Sequence, residues 1–216
     1  MKRFPLRINS MANNNVSSIE NKYQLFSRTP SDINEHLPTL KRYSDECSHI
    51  TECGVRFVIS SYAFALGLKN KPNNKLIQVD VIKYPQNNTF QAECQKEGIN
   101  VVFYEQSDLV CPLEQTDLLF IDTWHIYGHL KRELTRWNTY VNKYIIMHDT
   151  TSDEIYGETI RVGWDPVKQS KETGIPIEEI TKGLWPAIEE FLVEHPEWKI
   201  KERFRNNNGL TILHRV

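Results

Sequence analysis

Two short apolar runs without polar alternation lie in the second half of the chain. Residues 118–121 (LLFI) and 144–147 (YIIM) contain apolar side chains only, which is typical of strands covered on both faces of a parallel sheet. Between the runs, apolar side chains recur at helical spacing: Leu130, Leu134, Trp137 and Val141. The pattern predicts two buried parallel strands joined by an amphipathic helix.

Strand and helix patterns also alternate along the first half of the chain. Apolar runs predict earlier strands at residues 50–54, 75–81 and 99–104. Helical patterns between them predict helices at residues 60–68 and 86–97. Repeated strand–helix units of this kind imply a parallel sheet with right-handed crossovers and helices on both faces. The chain is therefore predicted to have a doubly wound α/β fold.

The C-terminal residues predict an antiparallel end to this sheet. After a helix at residues 184–193, alternating patterns at 198–204 and 210–214 flank the turn sequence RNNNG. Two strands joined by a tight turn form a hairpin, so we expect a mainly parallel, seven-stranded sheet that closes with an antiparallel hairpin. Residues 152–182 are polar, contain several Gly and Pro residues and are long for a connection, which indicates a substrate-binding insertion.

The N-terminal residues are rich in Asn and Ser. Residues 1–20 are therefore predicted to be a flexible segment, and residues 21–216 a single domain. The sequence TPSD at residues 29–32 predicts a helix start, with Thr as the cap and Pro at the first helical position. Pro38 is expected to split this helical segment into two.

Composition excludes several classes of protein. The chain has 216 residues, 39% of them hydrophobic and 25% charged, and its net charge is −2 with scattered Lys and Arg, so we expect no nucleic-acid partner. No apolar run approaches the ~20 residues that cross a bilayer, and no signal peptide is evident, so we expect a cytosolic protein without membrane contact. Its four cysteines form no Cys-x-x-Cys pair, which fits reduced thiols.

Polar residues follow the two buried strands of the second half. In open parallel sheets, ligands bind beyond the carboxyl ends of the strands. The residues that should share this crevice are Asp122, Trp124 and His125 after the first strand, and His148, Asp149 and Thr150 after the second. The chemistry of the protein is therefore expected at this edge of the sheet.

These features together resemble the class I S-adenosylmethionine-dependent methyltransferases. TECGVR at residues 51–56 looks like their first motif, although Arg56, Phe57 and Val58 stand where further glycines are usual. Asp80 matches the acid that holds the ribose hydroxyls, and Ser107 with Asp108 matches the segment that lines the adenine. The cofactor contacts that the resemblance implies are Glu52, Gly54, Arg56, Ser60, Asp80, Ser107, Asp108, Asp122 and Trp124.

The sequence DTWH at residues 122–125 is similar to a segment of catechol-type O-methyltransferases. In those enzymes the Asp binds a divalent metal, the Trp lies near the adenine, and a Lys takes the substrate proton; here His125 replaces that Lys. Asp149-Thr150 falls where those enzymes have Asp-Asn, the other metal ligands. The resemblance therefore implies metal ligands at Asp122, Asp149 and Thr150, and catalytic roles for His125, Asp122 and Asp149.

The pattern FIDTWHIY, with HDT after the next strand, looks closer still to the sugar-modifying branch, which includes macrocin-type and rhamnosyl O-methyltransferases. TPSDINEHLPTL and NNNGLT look like parts of methyltransferase domains that accompany glycosyltransferases in glycan assembly. The resemblance covers residues 29–216. It implies transfer of a methyl group to a sugar hydroxyl, such as one of rhamnose in a glycan, with a glycosyltransferase domain as partner.

Elementary chemistry is compatible with these roles. A sugar hydroxyl is a weak acid, and an imidazole such as His125 accepts protons near neutral pH, with a contribution of ~10²- to 10⁴-fold from a positioned base. A divalent ion on Asp122 and Asp149 would lower the pKa of the same hydroxyl, and two carboxylates suit magnesium or manganese. His125 as a structural or metal-bound residue, Glu52 as a partner of loop amides and Trp124 as a packing residue are the alternatives.

Weaker expectations concern the remaining polar residues. Strand alternation directs His148 away from Asp149, which favours a satisfied interior histidine. Further candidates for contact with the acceptor are Asn34, His36, Tyr156, Glu158 and Asn208.

Three other functions compete with sugar methylation. A phenol or another small molecule would suit the catechol-like segment equally well. A nicotinamide-dependent oxidoreductase would share the doubly wound sheet, but the Gly-x-Gly-x-x-Gly turn is missing, since Gly54 is the only glycine at the first strand–helix junction. An inactive binding domain is the third alternative, and the intact set of Asp122, His125 and Asp149 argues against it.

Overall fold

Seven strands form a single mixed sheet in the computed structural model, which describes residues 17–216. In chain order the strands are β1 (His49–Cys53), β2 (Lys75–Asp80), β3 (Val101–Glu105), β4 (Thr116–Ile121), β5 (Val141–His148), β6 (Trp198–Phe204) and β7 (Leu210–Arg215). The helices are α1 (Ser18–Arg28), α2 (Leu37–Ser44), α3 (Ile59–Leu68), α4 (Pro85–Lys96), α5 (Tyr127–Trp137), α6 (Glu158–Val162), α7 (Pro166–Thr173), α8 (Ile177–Thr181) and α9 (Trp185–Glu194).

The strand order places a crevice at the centre of the sheet. The order is β3-β2-β1-β4-β5-β7-β6, in which β1 to β5 pair in parallel and β7 pairs antiparallel with both β5 and β6. The chain leaves β1 toward β2 on one side and returns to β4 on the other, so connections diverge between β1 and β4. Ligands bind at such a switch point, and the predicted doubly wound fold with its antiparallel hairpin is confirmed.

Helices cover both faces of the sheet, as the apolar runs predicted. Along β4, Leu118 and Phe120 pack into one buried cluster, together with residues of α1, α2 and α3. Leu119 and Ile121 pack into a second cluster on the opposite face, with residues of α5 and α9. Each face buries its own apolar layer, so the carboxyl ends of the strands are held rigidly at one edge.

The N-terminal part of the structure differs from the sequence prediction. Residues 1–16 of the predicted flexible segment lie outside the described residues. The remainder of that segment belongs to α1: Ser17 caps the helix, Ser18 begins it and Ile19 is fully buried. Thr29 ends α1 instead of starting a helix, and its hydroxyl donates to the carbonyl of Leu25. Pro38 lies in the first turn of α2, where its missing N–H costs nothing, and the segment is divided there as predicted, with a short 3-10 helix at Asn34–His36 before α2.

The predicted insertion at residues 152–182 carries three short helices, α6, α7 and α8. It is tied to the body by main-chain hydrogen bonds, including Glu158 N–H to the carbonyl of His125 and Tyr127 N–H to the carbonyl of Lys182. All four cysteines are buried and unpaired. In the described part of the chain, no helix combines the length and apolar character that crossing a membrane requires.

Candidate active site

A cavity of about 490 Å³ lies beyond the carboxyl ends of β1, β2, β4 and β5. This volume lies within the usual ~300–1,000 Å³ of small-molecule sites. Ten predicted site residues line the cavity: Gly54, Arg56, Ser60, Asp80, Ser107, Asp108, Asp122, Trp124, His125 and Asp149. The structure therefore brings the predicted catalytic residues and all the predicted cofactor contacts except Glu52 to a single site.

The loop after β1 forms one wall of the cavity. Gly54 has a φ of +83°, and a Cβ built on it would lie 1.9 Å from the carbonyl oxygen of Asp122, so only glycine fits there. Arg56 and Val58 also have positive φ, at 44° and 61°. The loop keeps this shape because Asp80 Oδ2 accepts hydrogen bonds from the N–H groups of Val55 at 2.9 Å and Arg56 at 2.8 Å. Asp80 thus holds the loop as well as lining the cavity.

Glu52 lies behind this wall and does not line the cavity. Its carboxylate accepts hydrogen bonds from Ser60 Oγ at 2.5 Å, Ser61 Oγ at 2.6 Å and Gln78 Nε2 at 3.1 Å. Complete burial, only partly offset by these hydrogen bonds, raises its pKa to about 7. The expected cofactor contact is therefore corrected: Glu52 holds side chains of α3 and β2 together, not the loop amides.

The side chain of Arg56 is exposed at the cavity rim, with its guanidinium 5.4 Å from the ring centre of Phe57. It forms no ion pair with a carboxylate of residues 17–216, so its charge is free for an anionic ligand. Trp124 contributes both to the lining and to a small apolar cluster with Ile126 and Ile180. Its indole Nε1 is buried without a partner, which leaves a donor for a bound group.

A second polar cluster lies after β3, next to the cavity. His129 Nε2 is 3.2 Å from Asp108 Oδ1 and 3.9 Å from Glu133 Oε1, and Thr123 Oγ1 donates to Glu133 at 2.8 Å. Burial and the neighbouring charge of Asp108 raise the pKa of Glu133 well above 4.5. Glu133 also forms a side-chain hydrogen bond with Asp108, so Asp108 lines the cavity where the adenine segment was predicted but is held by Glu133 and His129.

Asp122 and Asp149 face each other across His125, as predicted. His125 Nε2 lies 3.2 Å from Asp122 Oδ1 and 3.3 Å from Asp149 Oδ2. Burial opposes ionisation of Asp122, but the charge of His148 and hydrogen bonding to His125 outweigh it and hold the pKa of Asp122 far below its usual 3.8. Asp122 is therefore anionic, and it creates a site for positive charge beside His125 and His148.

The second ring nitrogen of His125 faces the insertion. Nδ1 lies 3.3 Å from Asp153 Oδ2 and 3.8 Å from Glu158 Oε2. Asp153 is fully buried and is held by Arg161, whose Nε and Nη2 donate at 2.6 and 2.9 Å. Burial disfavours the imidazolium, but Asp122, Asp153 and Asp149 outweigh burial and hold the pKa of His125 well above 6.5.

His148 joins this site, contrary to the expectation from strand alternation. Its Nδ1 lies 3.0 Å from Asp149 Oδ2 and 3.3 Å from Asp122 Oδ1. Alternation fails because Asp149 leaves the extended conformation, with a φ of 55°, which turns its side chain back toward His148. Burial lowers the pKa of His148, but the charges and hydrogen bonds of the two acids raise it to about 10.

Thr150 does not join the acids as the predicted metal ligand. Its hydroxyl is fully buried and accepts a hydrogen bond from Thr211 Oγ1 at 2.9 Å, on the side of β7. The turn at Asp149 is again the cause, since it directs the next residue away from the cavity. In its place Asp122, His148 and Asp149 offer three ligand atoms within 4.8 Å of one another. Two carboxylates and an imidazole fit a divalent cation.

Of the residues predicted to contact the acceptor, the structure places only one at the cavity. Glu158 lines the cavity, but Asn34, His36, Tyr156 and Asn208 do not. Trp164, from the insertion, also lines the cavity and remains 47% exposed. Three residues near the acids were not predicted from the sequence: Asp153, His129 and Glu133. The spacing of four residues between His129 and Glu133 places both on one helix face, and this pattern could have indicated them.

Comparison with known proteins shows the fold. No protein-family model matches the chain, and no curated protein matches its sequence. A crystal structure of a Corynebacterium glutamicum protein is similar with a TM-score of 0.61 and 12% identity, covering 92% of this chain and 89% of that one.

Two structures described as O-methyltransferases are similar as well. One is an O-methyltransferase from Bacillus cereus in complex with SAH (S-adenosylhomocysteine), with a TM-score of 0.57, 11% identity and coverage of 92% and 90%. The other is the O-methyltransferase TomG from Streptomyces achromogenes, in complex with SAM (S-adenosylmethionine) and involved in tomaymycin synthesis, with a TM-score of 0.54, 11% identity and coverage of 95% and 99%. The chain therefore has the Rossmann-like fold of class I methyltransferases.

Proposed function

We propose that the protein is an S-adenosylmethionine-dependent O-methyltransferase that acts on a sugar hydroxyl with assistance from a divalent ion. The observation that carries the proposal is the shared cavity: the loop at Gly54, Asp80 and Asp108 open into the same space as Asp122, His125 and Asp149. The similar structures described as O-methyltransferases, two of them with bound SAH or SAM, support it.

Residues of the first wall are suited to hold the donor. Gly54 lines the cavity, and its backbone packs directly against that of Asp122 at the end of β4. Asp80 retains lone pairs for hydroxyl groups beside those used by the loop amides. Trp124 Nε1 is a buried donor without a hydrogen-bond partner among residues 17–216. S-adenosylmethionine, when bound, supplies an electrophilic methyl group on a sulfonium that departs as a neutral thioether.

His125 is the residue that takes the proton of the acceptor hydroxyl. It lines the cavity and is oriented by Asp153 through Nδ1, which leaves Nε2 between Asp122 and Asp149. These two carboxylates hold a proton on His125 in the absence of other cations. On the same carboxylates a divalent ion would offset that attraction and would lower the pKa of a hydroxyl bound to it. His125 would then accept the proton of that hydroxyl on Nε2 as a neutral base, while its Nδ1 stays beside Asp153.

The insertion is suited to a sugar acceptor. Trp164 offers a half-exposed apolar ring at the cavity, and Glu158 offers a carboxylate that accepts hydroxyl hydrogen bonds. An aromatic face with polar groups around it matches a sugar, which has both C–H faces and hydroxyl edges. In a glycan-assembly system, a glycosyltransferase domain would supply the acceptor. A phenol remains the competing acceptor class, because it would also stack on Trp164.

The test combines binding and turnover. S-adenosylhomocysteine should bind in calorimetry, and a panel of glycosides and phenols should show methyl transfer to glycosides only. His125→Ala should lower kcat by about 10²- to 10⁴-fold while the affinity for S-adenosylhomocysteine changes little. A chelator should abolish turnover, and magnesium or manganese should restore it. Binding of NAD without any response to S-adenosylhomocysteine would reject the methyltransferase proposal, and reaction with phenols alone would reject the sugar.

A further inference from the structure

His148 is fixed in one hydrogen-bonding state by the chain around it. Its Nε2 lies 3.2 Å from the backbone carbonyl oxygen of Asn207. A carbonyl oxygen only accepts hydrogen bonds, so Nε2 carries the hydrogen and the lone pair of a neutral ring lies on Nδ1. Nδ1 is the atom that lies 3.0 Å from Asp149 Oδ2 and 3.3 Å from Asp122 Oδ1. Nδ1 therefore faces two carboxylate oxygens that require positive charge at this position, carried by a proton on Nδ1 or, once bound, by a metal ion.

The carbonyl that fixes His148 belongs to an unusual turn. Asn207, Asn208 and Gly209 all have positive φ, at 46°, 67° and 99°. Side-chain contacts hold the turn. Asn207 Nδ2 donates to the carbonyl of Ser31 at 2.7 Å, and His36 Nε2 lies 3.1 Å from the backbone carbonyl oxygen of Asn207. The left-handed residues cost conformational free energy, and these contacts offset it. The position of the Asn207 carbonyl is thus built into the fold.

The two histidines beside the acid pair have different access to the cavity. His125 lines the cavity, and its side chain is 14% exposed. His148 does not line it, and its side chain is only 1% exposed. A bound acceptor can therefore touch His125, whereas Nδ1 of His148 faces only the space between the acids. The first imidazole is placed for proton transfer and the second for holding a cation.

We infer that His148 Nδ1 is a ligand of the divalent ion, together with Asp122 and Asp149, and that the site prefers a first-row transition ion to magnesium or calcium. This inference rests on the proposed function in that it specifies the ion of the same site. A ligating histidine usually donates its other N–H to a carbonyl or carboxylate, as His148 does to Asn207. Imidazole nitrogen suits manganese, iron, cobalt or zinc, whereas magnesium and calcium favour oxygen ligands only.

The first experiment follows the unaltered chain by NMR, and substitutions serve only to assign its resonances. The full chain labelled with ¹⁵N-histidine is titrated with Zn²⁺, a diamagnetic probe, and then with Mg²⁺. The ring resonances are assigned by their loss in His148→Asn and His125→Ala. We expect Nδ1 of His148 to shift on addition of Zn²⁺ while its Nε2 stays protonated. A Zn²⁺-loaded protein with an unchanged His148 Nδ1 would overturn the inference.

The second experiment compares affinities for Co²⁺ and Mg²⁺ by calorimetry. His148→Ala should weaken Co²⁺ binding by about 100-fold or more. Loss of a residue that only supports a metal ligand costs about 10- to 100-fold, and loss of a ligand itself should cost at least as much. His148→Asn, which replaces nitrogen by an amide oxygen, should keep Mg²⁺ binding and lose most of the preference for Co²⁺. His195→Ala is the matched control, because His195 is a histidine that pairs with Glu197 and contacts none of the acids; it should bind Co²⁺ like the unaltered chain.

The same samples separate the inference from the function on which it rests. S-adenosylhomocysteine binding and methyl transfer are measured beside each metal titration. Methyl transfer that persists with equal Co²⁺ affinity in His148→Ala and the unaltered chain would overturn the ligand assignment and leave the methyltransferase proposal intact. Loss of S-adenosylhomocysteine binding in the unaltered chain, with an intact Zn²⁺ shift at His148, would reject the methyltransferase and retain the metal site.

Discussion

A Cβ on Gly54 would lie 1.9 Å from the backbone carbonyl oxygen of Asp122, so the chain segments leaving β1 and β4 are in direct contact. Gly54 belongs to the loop that forms the donor wall, and Asp122, at the end of β4, carries one of the two acids that line the same cavity. A single backbone contact therefore fixes the spacing between the part that would hold the donor and the part that would activate the acceptor.

Gly54→Ala should abolish binding of S-adenosylhomocysteine and lower the free energy of unfolding by more than about 2 kcal/mol, since it combines a positive φ with a backbone clash. Calorimetry and denaturant unfolding measure the two effects. Gly98→Ala is the matched control, because Gly98 has a similar φ of +71° but no atom within 4 Å of the added Cβ. An equal loss in both variants would mean that backbone strain, and not the contact with Asp122, is responsible.

Glu52 should make stability depend on pH. Its pKa in the folded chain is about 7, above the usual 4.5, so the folded state binds the proton more tightly than the unfolded state. The resulting stabilisation is complete below about pH 4.5 and is lost as pH rises through 7, a change of roughly 3 kcal/mol at ~1.36 kcal/mol per pKa unit. Glu52→Gln should remove this slope.

The measurement is urea unfolding of both proteins between pH 4.5 and 8, with the free energy of Glu52→Gln taken relative to the unaltered chain at each pH. The difference should move in favour of the variant as pH rises. A difference that stays constant with pH would show that Glu52 is ionised over the whole range and that its hydrogen bonds to Ser60 and Ser61 outweigh its burial.

Asp153→Asn should lower kcat by about 10-fold or more with little change in the affinity for S-adenosylhomocysteine, because it removes the charge that orients His125 through Nδ1. The pH at which the rate of Asp153→Asn falls on the acid side of its pH–rate profile should also shift. A purely structural loss of activity would leave that pH unchanged. Glu154→Gln is the control on the same turn, since that carboxylate pairs with Arg203 and Arg205 instead. Equal losses in both variants would remove Asp153 from the mechanism.

Trp164→Ala should raise the KM for the acceptor by about 10-fold while the affinity for S-adenosylhomocysteine stays unchanged, since the ring lines the cavity from the insertion. Steady-state kinetics with a reactive glycoside measures the effect. Val162→Ala replaces another exposed apolar residue of the same segment that does not line the cavity, and it should behave like the unaltered chain. A change in donor affinity alone would instead place Trp164 beside the donor.

The sheet could be predicted from the sequence because burial on both faces leaves a simple pattern. The run 118–121 carries no polar residue, and each of its side chains enters one of the two clusters. The end of β4 then fixes where Asp122 and His125 lie, so their place at the cavity followed from strand topology alone.

The parts that the sequence did not reveal depend on backbone conformations that leave no periodic signal. A single left-handed residue, Asp149, turns its own side chain toward His148 and directs Thr150 away from the cavity. Asp153 reaches His125 only because the insertion folds back onto the sheet, which no local pattern reports. The start of α1 was not predicted because this part of the sequence contains few apolar residues. Of these, Ile19 and Tyr23 are buried.

The hydrogen bond from the N–H of Glu158 to the carbonyl of His125 joins α6 to the residue that would accept the proton. Any acceptor that displaces α6 must stretch this bond and disturb the imidazole with it. Acceptor selectivity and reaction rate would consequently change together. If residues 152–182 were replaced by the corresponding segment of a protein with another acceptor, the hydrogen bond that supports His125 would be replaced as well.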